Sequence, residues 1–281
     1  MYNFDPSKIK LVVSDLDGTL LNGASALSAY NIEQVRKLHD KGVLFTFATG
    51  RMDKMTWHFA EPLELKLPII SSNGAVMRYH GADEAIYFRS LAREQVAEII
   101  RICEESDTDF AFYSDDTVYH APKSTRVHVF EHYNKLAITS GQPLIRLANV
   151  YAFANNMPPE EVTKVYIRFN PGDNADSEVG RRLAAIPGVQ PSVSGRGSLE
   201  LMPENTSKGS ALEALCDYMN IPLENVLTIG DEQNDVSMLK RSGVSVGMRS
   251  GAPVIDEYVD FYAEHHNADG FGRMLKQIFS L

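Results

Sequence analysis

Short apolar runs alternate with segments of helical period over residues 9–77 and again from about Leu199 to the C-terminus. That alternation is the signature of a parallel sheet flanked by helices. "LVVS" (11–14), "VLFTFA" (43–48) and "LPII" (67–70) read as buried strands, and "IEQVRKLHDKG" places Ile32, Val35 and Leu38 on one helical face before Gly42, a residue able to take the left-handed C-cap conformation. The later half repeats the theme: helix "SALEALCDYM", strand "NVLTI", helix "DVSMLKRSG", strand "VSVG" and a closing helix "FGRMLKQIF". The middle differs. "AIYF", "FAFYS" and "TVYH" are short strands, the last two close enough for a hairpin across Ser114 to Asp116, and helical stretches near 127–136 and 177–185 bracket the strand "KVYIRF". The expected fold class is therefore α/β: a Rossmann-like parallel-sheet core formed by residues 1–82 and 196–281, interrupted by an inserted α+β domain at 83–195.

Composition narrows the function. With 44% hydrophobic and 23% charged residues the 281-residue chain has the make-up of a globular protein with a substantial core. Its 27 basic against 37 acidic residues leave a net charge of −10, which opposes binding to polyphosphate backbones or anionic membranes. No nucleic acid and no membrane partner is expected. The start "MYNFDPSKIK" lacks the basic-then-apolar pattern of a secretory signal, so a cytoplasmic location is the expectation. Cys103 and Cys216 each fall on an apolar helical stripe and read as buried thiols without chemistry. His128 with His132, and His265 with His266, lack a third ligand nearby in sequence and read as surface histidines.

The polar residues that follow the core strands do change the picture. In open parallel α/β sheets ligands bind at the carboxyl ends of strands. Here "LVVS" runs into Asp15 and Asp17, "VLFTFA" into Thr49, Gly50 and Arg51, "LPII" into Ser71, Ser72 and Asn73, and "NVLTI" into Gly230 and Asp231, followed by Asn234 and Asp235. Residues two apart on an extended backbone point to the same side, so Asp15 and Asp17 can serve one pocket. Crowded carboxylates raise one another's pKa unless a cation intervenes, and an oxygen-rich site with few fixed ligands suits Mg²⁺. "DLDGT" is not an EF-hand loop, because Leu20 and Ala26 occupy its glycine and glutamate positions, and "TSKGS" is not a P-loop, because Lys208 precedes its glycine.

Taken together, "DLDGTLL", "FATGR", "SSNGA", "LELMPENTSKGSAL" and "TIGDEQNDVSMLKRSGVSVGM" resemble the haloacid dehalogenase-like hydrolases, specifically the Cof-type phosphatases with a large α/β cap. The resemblance implies that Asp15 is a nucleophile forming an aspartyl phosphate and that Asp17 is the acid/base. It implies Mg²⁺ held by Asp15, the Asp17 carbonyl and Asp231, with Asp235 and Asn234 in support. Thr49 and Lys208 would hold the phosphoryl oxygens, with Gly50, Arg51 and Asn73 as further substrate contacts. The substrate would be a small-molecule phosphate ester, and the cap would read its leaving group. Met248 and Arg249 stand where the family commonly has Asn followed by a small residue. The alternatives are a phosphosugar mutase, which returns the phosphoryl group to sugar, and a relative that binds phosphometabolites without turnover.

Overall fold

The computed structural model describes residues 4–193 and 197–281. The chain forms two compact units. The first comprises the described residues up to Gly50, His58–Ile86 and Ser207–Leu281; the second comprises Arg51–Trp57 and Tyr87–Thr206.

The first unit is built on a five-stranded parallel sheet in the order Phe261–Ala263, Val244–Met248, Val226–Gly230, Leu11–Ser14, Leu44–Phe47. The Leu11–Ser14 strand, interior to the sheet, is buried throughout, as expected of a strand covered on both faces. Its register pairs Ser14 with Ile229 on one side and Phe47 on the other. Asp15, Gly230 and Ala48 therefore stand at one level, and an isolated parallel bridge from Ala48 to Ile70 brings the Ile69–Ser71 strand to the same edge. The Ala29–Asp40 helix starts at Ser28, whose hydroxyl accepts from the Asn31 amide. Asn31 itself is buried with both ends of its amide bonded: Nδ2 donates to the Leu20 carbonyl and Oδ1 accepts from the Gly272 amide, tying this helix to the Gly270–Phe279 helix and to the loop after the Leu11–Ser14 strand.

The second unit carries a six-stranded sheet ordered Val189–Val193, Ser198–Pro203, Lys164–Arg168, Asp109–Tyr113, Thr117–His120, Arg146–Asn149, antiparallel except for its last pair. One face packs Phe110, Phe112, Val165, Ile167, Leu199 and Leu201 against apolar residues of the Arg93–Glu105 and Glu178–Ala184 helices. The opposite face packs Ala111, Tyr113 and Val118 against Phe130, Tyr133 and Ala137 of the Val127–Ser140 helix and against Met52 and Met55.

Three expectations need correction. "LELMP", read as the return to the core, is the Ser198–Pro203 strand, whose ladders run to Val189–Val193 and Lys164–Arg168 and whose Leu199 and Leu201 are buried in the second unit. The expected boundary at 195/196 lies outside the described residues. Second, Arg51–Trp57, expected in the core, belongs to the second unit, because Met52 and Met55 find their apolar partners there. Third, "DVSMLKRSG" is helical only over Val236–Leu239; Asp235 spends its carboxylate on the turn before the helix, and the Gly243 amide is drawn to the Leu223 carbonyl. Among the described residues no helix is long and apolar enough to cross a membrane.

Candidate active site

Two carboxylates beyond the carboxyl ends of neighbouring strands, Asp15 and Asp235, converge on one ammonium group. Lys208 is the first residue of the Lys208–Met219 helix, which is fixed by a reciprocal cap: Ser207 Oγ accepts from the Ser210 amide at 3.1 Å and Ser210 Oγ accepts from the Ser207 amide at 3.0 Å. A buried lysine at a helix N-terminus is opposed by both desolvation and the helix dipole, so it requires carboxylate partners. It has two. Lys208 Nζ donates to Asp15 Oδ1 and, at 2.6 Å, to Asp235 Oδ1. Lys208 and Asp235 are fully buried and Asp15 is nearly so. The ammonium pKa is pushed up: the two carboxylates outweigh the opposing effect of burial.

Asp231 completes the cluster. Its Oδ1 accepts from Thr19 Oγ1 at 2.7 Å, while Asp235 Oδ2 accepts from the backbone amides of Asp231 and Glu232, each at 2.9 Å. Carboxylate oxygens of Asp15, Asp231 and Asp235 all lie within 4.8 Å of one another. Burial, with the Asp235 charge next, pushes the Asp231 carboxyl up to about 7. Burial also carries the Asp15 carboxyl well above the usual range, with Asp235 and Asp231 adding to the rise against the pull of Lys208. Three buried carboxylates facing one ammonium are short of positive charge. Hard oxygen donors in that number fit Mg²⁺.

Backbone conformation makes this packing possible at two glycines. Gly18, at φ +80°, lies where a Cβ would come within 2.3 Å of Asp231 Oδ2. Gly74, at φ +95°, lies where a Cβ would come within 2.2 Å of the Ser207 carbonyl oxygen, so the turn after Ile69–Ser71 seats directly on the cap that orients Lys208.

The other expected residues fall in distinct places. Asp17 is exposed, in the turn directly after Asp15. Thr49 is buried, its amide bonded to the Ile70 carbonyl and its carbonyl to the Asn73 amide. Asn73 is buried in a left-handed conformation, and its Oδ1 accepts from Asn234 Nδ2 at 3.1 Å. A Cβ on Gly50 would lie 2.9 Å from that same Oδ1. Arg51 belongs to the second unit rather than the carboxylate cluster. Met248 ends its strand buried, whereas the Arg249 guanidinium is exposed, 5.9 Å from the Tyr262 ring centre. The histidines carry no metal cluster among the described residues; His128 meets Glu131 and His266 meets Ser250. Both cysteines are buried, with thiols pushed up by burial. Sequence reading missed Thr19, which holds Asp231, and Ser14, whose hydroxyl donates to the Asp15 carbonyl. The first was legible as the threonine closing "DLDGT"; no spacing signals the second.

A family model described as haloacid dehalogenase-like hydrolase matches residues 12–275. The chain belongs to the haloacid dehalogenase-like hydrolases. Within that superfamily it is a Cof-type phosphatase. One relative, a 5-amino-6-(5-phospho-D-ribitylamino)uracil phosphatase of Bacillus subtilis (strain 168), is 27% identical, covering 98% of this chain and 99% of its own. An HMP-PP phosphatase of Enterobacter sp. (strain 638) is 26% identical over 87% of this chain and 85% of its own. The fold is shared with a crystal structure of a haloacid dehalogenase-like hydrolase from Bacteroides thetaiotaomicron, at a TM-score of 0.79 and 24% identity, covering 96% of this chain and 100% of that one.

Proposed function

We propose that the protein is a Mg²⁺-dependent phosphomonoesterase acting on a small phosphorylated metabolite through an aspartyl phosphate. The observation that carries this reading is the Lys208 ammonium shared by Asp15 and Asp235 beside Asp231, beyond the ends of the Leu11–Ser14 and Val226–Gly230 strands. Asp15 Oδ2 accepts no hydrogen bond from the described residues, which leaves a lone pair to attack phosphorus. Attack forms the Asp15 O–P bond as the bond to the leaving oxygen breaks, and Asp17, at the exposed turn, gives that oxygen its proton. Asp17 then takes a proton from the attacking water, inorganic phosphate departs and the Asp15 carboxylate is restored. Lys208 and Thr49 hold the phosphoryl oxygens where negative charge spreads in the transition state. Asp15, Asp231 and Asp235, with the Asp17 carbonyl and Asn234, would hold Mg²⁺, whose charge when bound offsets that of the carboxylates and the phosphoryl group. Asn73 serves by positioning Asn234.

The second unit supplies recognition of the leaving group in this reading. Three relatives bear the name 5-amino-6-(5-phospho-D-ribitylamino)uracil phosphatase, so that compound heads the substrate candidates, followed by phosphorylated cofactors and sugar phosphates. The test is inorganic phosphate release from a panel of such esters with Mg²⁺ and with excess chelator. Release that depends on Mg²⁺ supports the reading. Absence of release from every ester and from p-nitrophenyl phosphate would refute it.

A further inference from the structure

Lys208 Nζ meets the Asp235 carboxylate only if the first turn of the Lys208–Met219 helix and the turn before Val236–Leu239 keep a fixed spacing. Both elements belong to the first unit. Their backbones come into close approach at Gly209, where a Cβ would lie 2.1 Å from the Ser237 carbonyl oxygen. One hydroxyl joins them there. Ser237 Oγ accepts from the Gly209 amide at 3.0 Å and donates to the Asn234 carbonyl at 3.3 Å. Gly209 follows Lys208 in the chain and Asn234 precedes Asp235, so this hydroxyl bridges the backbone beside both members of the buried ion pair.

The N–H groups in the first turn of a helix have no intrahelical carbonyl to bond, so acceptors must come from outside the ladder. Here two serines provide them: Ser207 Oγ serves the Ser210 amide, and Ser237 Oγ serves the buried Gly209 amide. A buried N–H that loses its acceptor is costly, and the turn that carries it relaxes toward another partner. Lys208 moves with that turn. A second clamp sits farther along the same helix, where Arg241 Nε donates to Glu213 Oε1 at 2.7 Å while its Nη1 donates to the Ser237 carbonyl at 2.8 Å. That clamp holds the two helices together without touching the amide beside Lys208.

We infer that Ser237 is a positioning residue for phosphoryl transfer, its hydroxyl fixing where the Lys208 ammonium stands relative to Asp15 and Asp235. The inference rests on the role given to Lys208 in the phosphatase reading and deepens it. Displacing a charged donor by about 1 Å can cost up to about 10²-fold in rate, because its stabilisation is needed where charge spreads in the transition state. Binding of the ester, shared among several contacts, changes less.

The test measures kcat and KM of the full-length protein for p-nitrophenyl phosphate at saturating Mg²⁺, with the folded fraction and melting temperature read by circular dichroism. Ser237→Ala should lower kcat about tenfold or more while KM changes less than about threefold. Ser237→Thr, which keeps the hydroxyl, should recover most of that loss. If Ser237→Ala does not fold, Ser237→Cys carries the test with the same split, since its sulfur is a weaker acceptor. Arg241→Met, which opens the second clamp, should lower the melting temperature and leave kcat within about threefold of the wild type. A merely structural hydroxyl would lower the melting temperature of Ser237→Ala with kcat per folded molecule unchanged. That result overturns the inference, as does an equal loss of kcat in Arg241→Met or no recovery in folded Ser237→Thr. Lys208→Met with wild-type kcat, or a wild type that releases no p-nitrophenol, instead overturns the phosphatase reading beneath it.

Discussion

Asp15 and Asp17 lie two residues apart in different surroundings, one buried against Lys208 and the other exposed, and the proposed mechanism gives them different tasks. Asp15→Asn should abolish turnover, since an amide neither attacks phosphorus nor ligates a cation well; wild-type rates in that variant would remove Asp15 from the chemistry. Asp17→Asn should slow alkyl phosphates severely yet retain much of the first step with an aryl phosphate, whose leaving group needs little protonation. A burst of p-nitrophenol from the variant is the measurement. Gly18→Ala tests the packing of the same turn. It adds a left-handed cost of about 1 kcal/mol and drives a methyl against Asp231, so both Mg²⁺ response and thermal stability should fall.

Two elements matter most to the site, the Leu11–Ser14 strand that runs into Asp15 and the helix that begins with Lys208. Removing the ammonium leaves Asp15, Asp231 and Asp235 crowded together, so Lys208→Met should destabilise the protein by about 3–5 kcal/mol, the usual cost of orphaning one side of a buried ion pair. Chemical denaturation with chelator present measures it, and saturating Mg²⁺ should recover part of the loss. The Ser198–Pro203 strand makes a second case. Excising residues 83–195 leaves that strand without its Lys164–Arg168 and Val189–Val193 partners and exposes Leu199 and Leu201, so the product should aggregate more than one from which residues 87–206 are removed. Size-exclusion profiles of the two products decide between the boundaries.

For the whole molecule, a cation that binds the folded state alone adds stability by mass action. Mg²⁺ should raise the melting temperature of the wild type and leave that of Asp231→Asn unchanged, and differential scanning fluorimetry over a Mg²⁺ series reads the difference. Equal shifts in the two proteins would place the cation elsewhere. The proposed chemistry adds the expectation that changes at Asp15 or Lys208 lower release of phosphate from every ester alike, read as kcat across a panel of esters.

The sequence by itself determined the parallel-sheet core, the inserted α+β segment and the carboxylates at the strand ends. Those properties are local or periodic: apolar runs such as "LVVS" make buried strands, and the residue after such a strand sits at the sheet edge whatever the partners are. Tertiary structure alone decided that Asp15 and Asp235 share one ammonium, because residues 15, 208 and 235 meet only through strand register and helix placement. It also decided the allegiance of "LELMP" and of Arg51–Trp57. An alternating apolar strand fits either sheet equally well by pattern, and which one it joins depends on ladder partners and facing side chains far away in the chain.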